Sequence, residues 1–271
     1  MSPVVRISDV DDPRLRDYRN VPDPELLATR GLFIAEGRLV VCRLLTSRFR
    51  ARSVLLTETA LQALGTSVTS LAQLPVFVVS QDAMNAITGF NIHRGCLALG
   101  ERPAPVAWPE ACRDSRTVIV LEAVANADNV GGIFRNAAAL GAGAVLLGPS
   151  CADPLYRKAI RTSMGAALSV PFAAMADWPA DLGRLRASGF RLLALTPAPD
   201  AVPLPELRCP PRVALLVGHE GGGLSQAAIE QADVRVRIPM ARGVDSVNVA
   251  TAAAIALYQM RPEARSLEPE A

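Results

Sequence analysis

The stretch TVIVLEAVANADNVGGIFRNAAALGAGAVLLG (117–148) decides the fold class. It opens on an apolar run (117–122), crosses a polar loop at 124–130 and a helical segment at 131–140, and closes on a second apolar run (144–148). Uninterrupted Val, Leu and Ile joined through a helix read as parallel strands, because a sheet covered on both faces buries consecutive side chains. The alternation continues downstream. RLLALT (191–196), VALLVG (213–218) and VRVRIP (234–239) read as strands, with helices expected over 157–168, over 225–231 and from Val247 to Met260. In 234–239, Arg235 and Arg237 share one face and Val234, Val236 and Ile238 the other, which predicts an exposed strand face.

Upstream lies a smaller α/β pattern. LFIAEGRLVVCRLLTSRF (32–49) reads as a helix start and amphipathic helix with Glu36 near its front. ARSVLLTE then suggests a strand, ALQALG a short helix, PVFVVSQDAMNAITG a strand and helix, and GCLALGE another strand. The stretch 101–115 carries three prolines without periodicity and reads as a linker. The expected organisation is a flexible lead-in over 1–25, a small α/β domain over 26–101, a linker over 102–115, a larger α/β domain over 116–261 and a flexible tail over 262–271.

With 271 residues, half of them hydrophobic and a fifth charged, the chain can bury a substantial core, and wholesale disorder is excluded. No stretch reaches the roughly 18 apolar residues of a membrane span. No basic-then-apolar opening suggests a secretory signal, so a cytoplasmic protein with no membrane partner is expected. The net charge of +2 says little about partners, since a basic face fits within a near-neutral total. Lys158 is the only lysine among 28 basic residues, a bias that codon preference explains as readily as phosphate binding. Five scattered cysteines without CxxC, and only His93 and His219 as histidines, give no expectation of a metal site.

Functional loops in such sheets lie beyond the carboxyl ends of strands. Three stretches there are polar or glycine-rich: 126–143, GHEGGGLS (218–225) and IPMARGVDSVNVATAAAIALY (238–258). The first lacks GxGxxG and the second lacks a terminal GK[ST], which counts against dinucleotide and nucleoside triphosphate loops. Gly218, Gly221, Gly222 and Gly223 suit a loop whose backbone approaches a ligand, although a flexible turn would use some of them too.

Together the three stretches resemble the motifs of the SpoU (TrmH) family of RNA ribose 2'-O-methyltransferases. The first motif matches Asn129, Gly131 and Arg135; the second Gly218, Glu220, Gly223 and Leu224; the third Ile238, Pro239, Ser246, Asn248 and Ala250. DPLYRKAIRTSMGAALSVPF (153–172), GLFIAEG and ITGFNIHRGCLAL (87–99) are also similar, so the resemblance spans about 30–260. Two departures are His219, where the family usually has Asn, and Val247, where Leu is commoner.

The resemblance implies a carboxyl-terminal methyltransferase domain with a trefoil knot and a smaller amino-terminal RNA-recognition domain. It also implies S-adenosylmethionine as cofactor, RNA as partner and a homodimer formed through the carboxyl-terminal domain. The two-domain organisation favours ribosomal over transfer RNA, and a non-catalytic RNA-binding protein of the same fold is the alternative. The implied catalytic residues are Arg135, Asn129, Glu220, Ser246 and Asn248, and the implied cofactor residues are Gly218, His219, Gly223, Ile238 and Val247. Arg94, Arg157, Lys158 and Arg161 are the candidate RNA contacts, the last three reading equally as a solvated helix face. His93 reads as structural.

A guanidinium is too weak an acid to serve as a base, so Arg135 is expected to orient the nucleotide and stabilise a developing alkoxide. Asn129 reads both as a ligand-facing amide and as a group near a helix N-cap. Glu220 is expected to fix Arg135 or the loop backbone, or else to be an exposed turn acid. Ser246 and Asn248 either cap the last helix or line the pocket.

Overall fold

The computed structural model describes residues 4–19, 22–65, 68, 73–89, 92 and 95–261. Contacts divide the chain into two units, the first running to Ala104 with the addition of Leu155–Ser169, the second formed by Pro105–Pro154 and the chain from Val170. Among the described residues no helix is long and apolar enough to cross a membrane. The expected tail over 262–271 lies outside the described residues, as do His93 and Arg94.

The first unit holds a mixed sheet of β1 (Val4–Arg6), β2 (Leu32–Glu36), β3 (Ala51–Leu56), β4 (Val76–Val78) and β5 (Cys96–Glu101), in the order β1-β4-β3-β5-β2. β1 and β3 run parallel to β4, whereas β5 is antiparallel to both β2 and β3. Its helices include α1 (Asp23–Arg30), α2 (Arg38–Leu45), α3 (Glu58–Leu64) and α4 (Gln81–Thr88).

Two expectations fail here. The residues read as a flexible lead-in are built into the unit: β1 extends the sheet, and Leu15 and Tyr18 are fully buried. The Tyr18 hydroxyl hydrogen-bonds the Ser53 Oγ at 2.8 Å, which satisfies a polar atom brought into the core. The reading of 32–49 as a helix is also corrected. LFIAE is buried almost throughout as β2, and the helix begins only at Arg38, after Gly37.

The second unit contains a wholly parallel sheet. Its strands are β6 (Thr117–Leu121), β7 (Ala144–Leu147), β8 (Phe172–Ala174), β9 (Arg191–Leu195), β10 (Val202–Pro203), β11 (Val213–Val217) and β12 (Val234–Arg237). Their order is β10-β12-β9-β11-β6-β7-β8. The α/β architecture with a mostly parallel sheet is therefore as expected. β11, late in the chain, lies between β6 and β9, in register Leu121↔Val217 and Ala194↔Leu216. Val118, Val120, Leu146, Leu192 and Leu216 form part of one continuous core.

The helices are α5 (Trp108–Ala111), α6 (Ala127–Leu140), α7 (Arg157–Thr162, in the segment belonging to the first unit), α8 (Ala180–Ala187), α9 (Gln226–Gln231) and α10 (Val249–Gln259). α5 lies within the proline-rich 101–115 stretch, where Cys112 is buried in the second unit's core and Trp108 packs against it.

Several boundaries shift. α6 starts four residues before the expected 131, because the Asn126 side chain accepts the Asp128 N–H and caps it. The expected helix over 157–168 stops at Thr162 and resumes as a 3-10 turn over Ala166–Leu168. The face of β12 that carries its arginines is partly exposed, as expected: Arg235 is exposed and reaches Asp200 at 2.6 Å, Arg237 is half-buried, and Val236 on the other face is fully buried, while β10 pairs alongside. The Ala-rich α10 packs against α6, where a Cβ on Gly132 would lie 2.9 Å from the Ala250 Cβ, and Asn136 Nδ2 donates to the Ala250 carbonyl at 2.8 Å.

Candidate active site

The parallel strands end together, and a cavity of about 1010 Å³ opens beyond β9, β11 and β12. Gly218, His219, Gly223, Ile238 and Val247, the expected cofactor residues, all line it, as do Glu220, Ser246 and Asn248. Thr196, Pro197 and Met240 complete parts of the wall that sequence reasoning did not identify.

The loop after β11 is tightly folded. A Cβ on Gly218 would lie 2.3 Å from the Gly223 carbonyl group, so no larger residue fits there without moving the loop. His219 and Gly223 exchange two backbone hydrogen bonds, at 3.0 and 2.8 Å. Nδ1 of His219 accepts the N–H groups of Gly221 and Gly222, at 2.9 and 3.1 Å. This network assigns the ring proton to Nε2, and the imidazole nitrogen does the work that a side-chain amide oxygen would do.

Asn248 joins the three motifs. Its Oδ1 accepts the N–H groups of Ala250 and Thr251 and so caps α10. That fixes the amide orientation, and Nδ2 then donates to Asn129 Oδ1 at 2.9 Å and to Glu220 Oε1 at 3.2 Å. Capping and site-lining thus coexist in Asn248, while Ser246 lines the cavity and caps nothing.

Asn129 lies inside α6 rather than at its cap, and it is 7 % exposed. Its Oδ1 is engaged by Asn248, and its Nδ2 is buried without a hydrogen-bond partner. An orphaned buried donor is costly, and such groups mark sites where a ligand or water completes the bonding. Arg135 is exposed on the same helix. Glu220 is exposed in the turn after β11, as one of its readings had it, and it accepts from Asn248; among the described residues no bond joins it to Arg135.

Of the candidate RNA contacts, Arg157, Lys158 and Arg161 belong to the first unit. Arg157 and Arg161 approach Glu36 at 3.6 and 3.4 Å, and the Arg157 N–H donates to Asp23 Oδ2 at 2.9 Å, all within the first unit. Lys158 is exposed on the same helix. Sequence reasoning passed over Glu122, whose carboxylate accepts from Trp178 and from Ser225 at the end of the glycine loop. The available signal was an acid closing the apolar run 117–122.

Residues 116–258 match the SpoU rRNA methylase family. The chain is 47 % identical over 270 residues to an uncharacterized tRNA/rRNA methyltransferase of Mycobacterium bovis, covering 97 % of this chain and 93 % of that one. It is 27 % identical to the 23S rRNA (guanosine(2553)-2'-O)-methyltransferase RlmP of Bacillus subtilis, covering 94 % of this chain and 99 % of RlmP. The fold is similar to that of an AdoMet-bound rRNA methyltransferase from Sinorhizobium meliloti, with a TM-score of 0.81, 24 % identity, and coverage of 95 % and 97 %. The parallel sheet, the three motifs meeting at Asn248 and the extent of the match lead to one assignment: the chain belongs to the SpoU rRNA methylase family.

Proposed function

We propose that this RNA methyltransferase transfers a methyl group from S-adenosylmethionine to the 2'-hydroxyl of an RNA ribose, with ribosomal RNA favoured over transfer RNA. The observation that carries the reading is the hydrogen-bonded chain Asn129–Asn248–Glu220, of which Asn248 and Glu220 line the cavity. It unites residues from three distant motifs at one point. The 2'-O-methyltransferase function of RlmP, aligned along nearly the whole chain, supports the same chemistry.

The cavity suits the cofactor. Its wall combines backbone groups at Gly218 and Gly223, apolar surface at Ile238 and Val247, and charged groups of both signs at Glu220, Asp245 and Arg237. Those first four residues with His219 would hold the cofactor, and when bound it supplies an electrophilic methyl carbon on sulfur. The Arg135 guanidinium orients the nucleotide and stabilises negative charge growing on the 2'-oxygen. Asn248, locked as a helix cap, holds Asn129 and Glu220 in fixed positions, and fixed positions lower the entropic part of the barrier. The 2'-hydroxyl restricts the reaction to RNA.

The proposal extends to the architecture. The first unit takes the role of RNA recognition, with Arg157, Lys158 and Arg161 as phosphate contacts. The second carries the trefoil knot, and two copies associate through the carboxyl-terminal domain, where Ile255 and Tyr258 of α10 are exposed.

Calorimetric titration with S-adenosylmethionine and S-adenosylhomocysteine, followed by tritium transfer to ribosomal and transfer RNA pools, tests this reading. Wild type and Arg135→Ala should both bind cofactor, while transfer by the variant falls about 100-fold, the scale of losing one charge-stabilising group. Nuclease digestion should place the label in 2'-O-methylribose. Folded wild-type protein that binds neither compound would overturn the reading in favour of a non-catalytic RNA-binding protein.

A further inference from the structure

We infer that Glu122 is the positioning residue that holds the glycine loop in its ligand-binding shape; the inference rests on the cofactor reading above. Glu122 follows β6 directly and is 6 % exposed. Its backbone N–H donates to the Val217 carbonyl at 2.9 Å. Its Oε2 accepts the Ser225 N–H at 2.8 Å, and its Oε1 accepts the Ser225 hydroxyl at 2.7 Å. Val217 and Ser225 are the residues immediately before and after the loop Gly218–Leu224. One residue therefore grips both ends of the loop, through its backbone at one end and its carboxylate at the other.

The chemistry of this clamp calls for a carboxylate. Burying a charge is costly unless every lone pair finds a donor. Here the third donor is Trp178 Nε1, at 2.8 Å from Oε1. An amide in the same place has only one acceptor oxygen, so it turns its NH2 towards either the Ser225 N–H or the Trp178 N–H. The backbone next to the clamp is also constrained: Ala123, which leads towards α6, has φ 55°, a conformation that costs a non-glycine residue about 1 kcal/mol or more. A clamp that fixes the loop before the ligand arrives reduces the ordering cost of binding. Glu122 thus acts on cofactor affinity through the loop and touches no reacting atom.

The test compares Glu122→Ala, which frees both Ser225 bonds, with Trp178→Phe, which removes the indole donor and leaves the clamp. Both variants should melt below wild type. Glu122→Ala should weaken S-adenosylmethionine and S-adenosylhomocysteine binding about tenfold or more, the scale of losing charge-assisted hydrogen bonds. Trp178→Phe should bind within about twofold of wild type. Amide exchange at Ser225 should accelerate in Glu122→Ala alone, with the interior of β11 unchanged, and this readout needs no ligand. If Glu122→Ala does not fold, Glu122→Gln and Glu122→Gln/Trp178→Phe replace it. The double variant removes the competing indole, so the amide can accept from the Ser225 N–H and donate to its hydroxyl, and it should bind more tightly than the single one. A folded Glu122→Ala with wild-type affinity and exchange, or equal binding by the Gln pair, would overturn the inference. Wild type that binds no cofactor but shows accelerated Ser225 exchange on Glu122→Ala would instead sink the cofactor reading and leave the clamp standing.

Discussion

Each unit ends parallel strands at a cavity, and the two cavities are built differently. In the first unit, residues following β1, β3 and β4 line about 780 Å³. There Thr57 accepts the Ala60 N–H at 3.3 Å, Ser80 accepts the Ala83 N–H at 3.1 Å, and Arg6 pairs with Glu58 at 2.6 Å. At that rim two hydroxyls cap helices and one ion pair forms, and β3 and β4 pass almost directly into those capped helices. In the second unit a glycine loop separates β11 from α9, and the buried Nδ2 of Asn129, whose Oδ1 is tied to that loop through Asn248 and Glu220, lacks a partner. A crevice at strand ends is common to α/β sheets. What distinguishes a ligand site is a polar set held in place yet left incomplete.

The sharpest way to break this comparison is to crowd one glycine in each unit. Gly218→Ala forces a methyl against the Gly223 carbonyl, and Gly95→Ala forces one to 2.3 Å from Thr57 Oγ1. Gly218→Ala should abolish measurable cofactor binding, a loss of about 100-fold or more, because the loop backbone itself must move to admit the methyl. Gly95→Ala should lower the melting temperature and leave calorimetric cofactor affinity unchanged. Equal losses of affinity in the two variants would erase the distinction between the cavities.

A smaller effect is expected from removing one helix cap in each unit. Thr57→Ala and Asn248→Ala each delete a side chain that accepts first-turn N–H groups, and each should cost about 1 kcal/mol of stability. Only Asn248→Ala also frees Asn129 and Glu220, so methyl transfer should fall about tenfold to 100-fold in that variant alone. Thermal melts beside tritium-transfer assays separate the two effects. Loss of transfer in Thr57→Ala would show that the first unit's caps bear on the reaction as well.

The strands of the second unit were readable where they form long apolar runs, since burial on both faces leaves that mark. β8 and β10, with three and two residues, are too short to carry a pattern, and neighbouring strands define them. β2 read as helix because LFIAE runs into RLVVCRLL with only Gly37 between them, and its true partner, β5, is distant in sequence. The assignment of Leu155–Ser169 to the first unit is likewise set by contacts far along the chain. At the site, Asn129, Glu220 and Asn248 were legible because each sits in a motif of its own. Glu122 was not: an acid ending a strand has many uses, and its partners are 56 and 103 residues away.

Asp181 sharpens the comparison most finely, because it is a fully engaged carboxylate in the same unit as the incomplete cavity. It lies in the first turn of α8 and is 4 % exposed. Burial pushes its pKa up, but hydrogen bonds from the Arg184 guanidinium, the Asp177 N–H and the Trp108 side chain outweigh that and hold it below the ordinary value of 3.8. A carboxyl whose pKa is depressed by folding adds stability above its unfolded pKa and loses it as the pH falls through the folded one. Asp181→Asn should therefore be less stable than wild type at neutral pH, by about 1 kcal/mol. The gap in melting temperature should narrow below pH 3.8, as the wild-type carboxyl takes up its proton. Cofactor affinity should not change, because no bond of Asp181 reaches the glycine loop directly. A drop in affinity would mean that any polar group in the second unit bears on the cavity, and the contrast between complete and incomplete polar sets would reduce to a contrast between units.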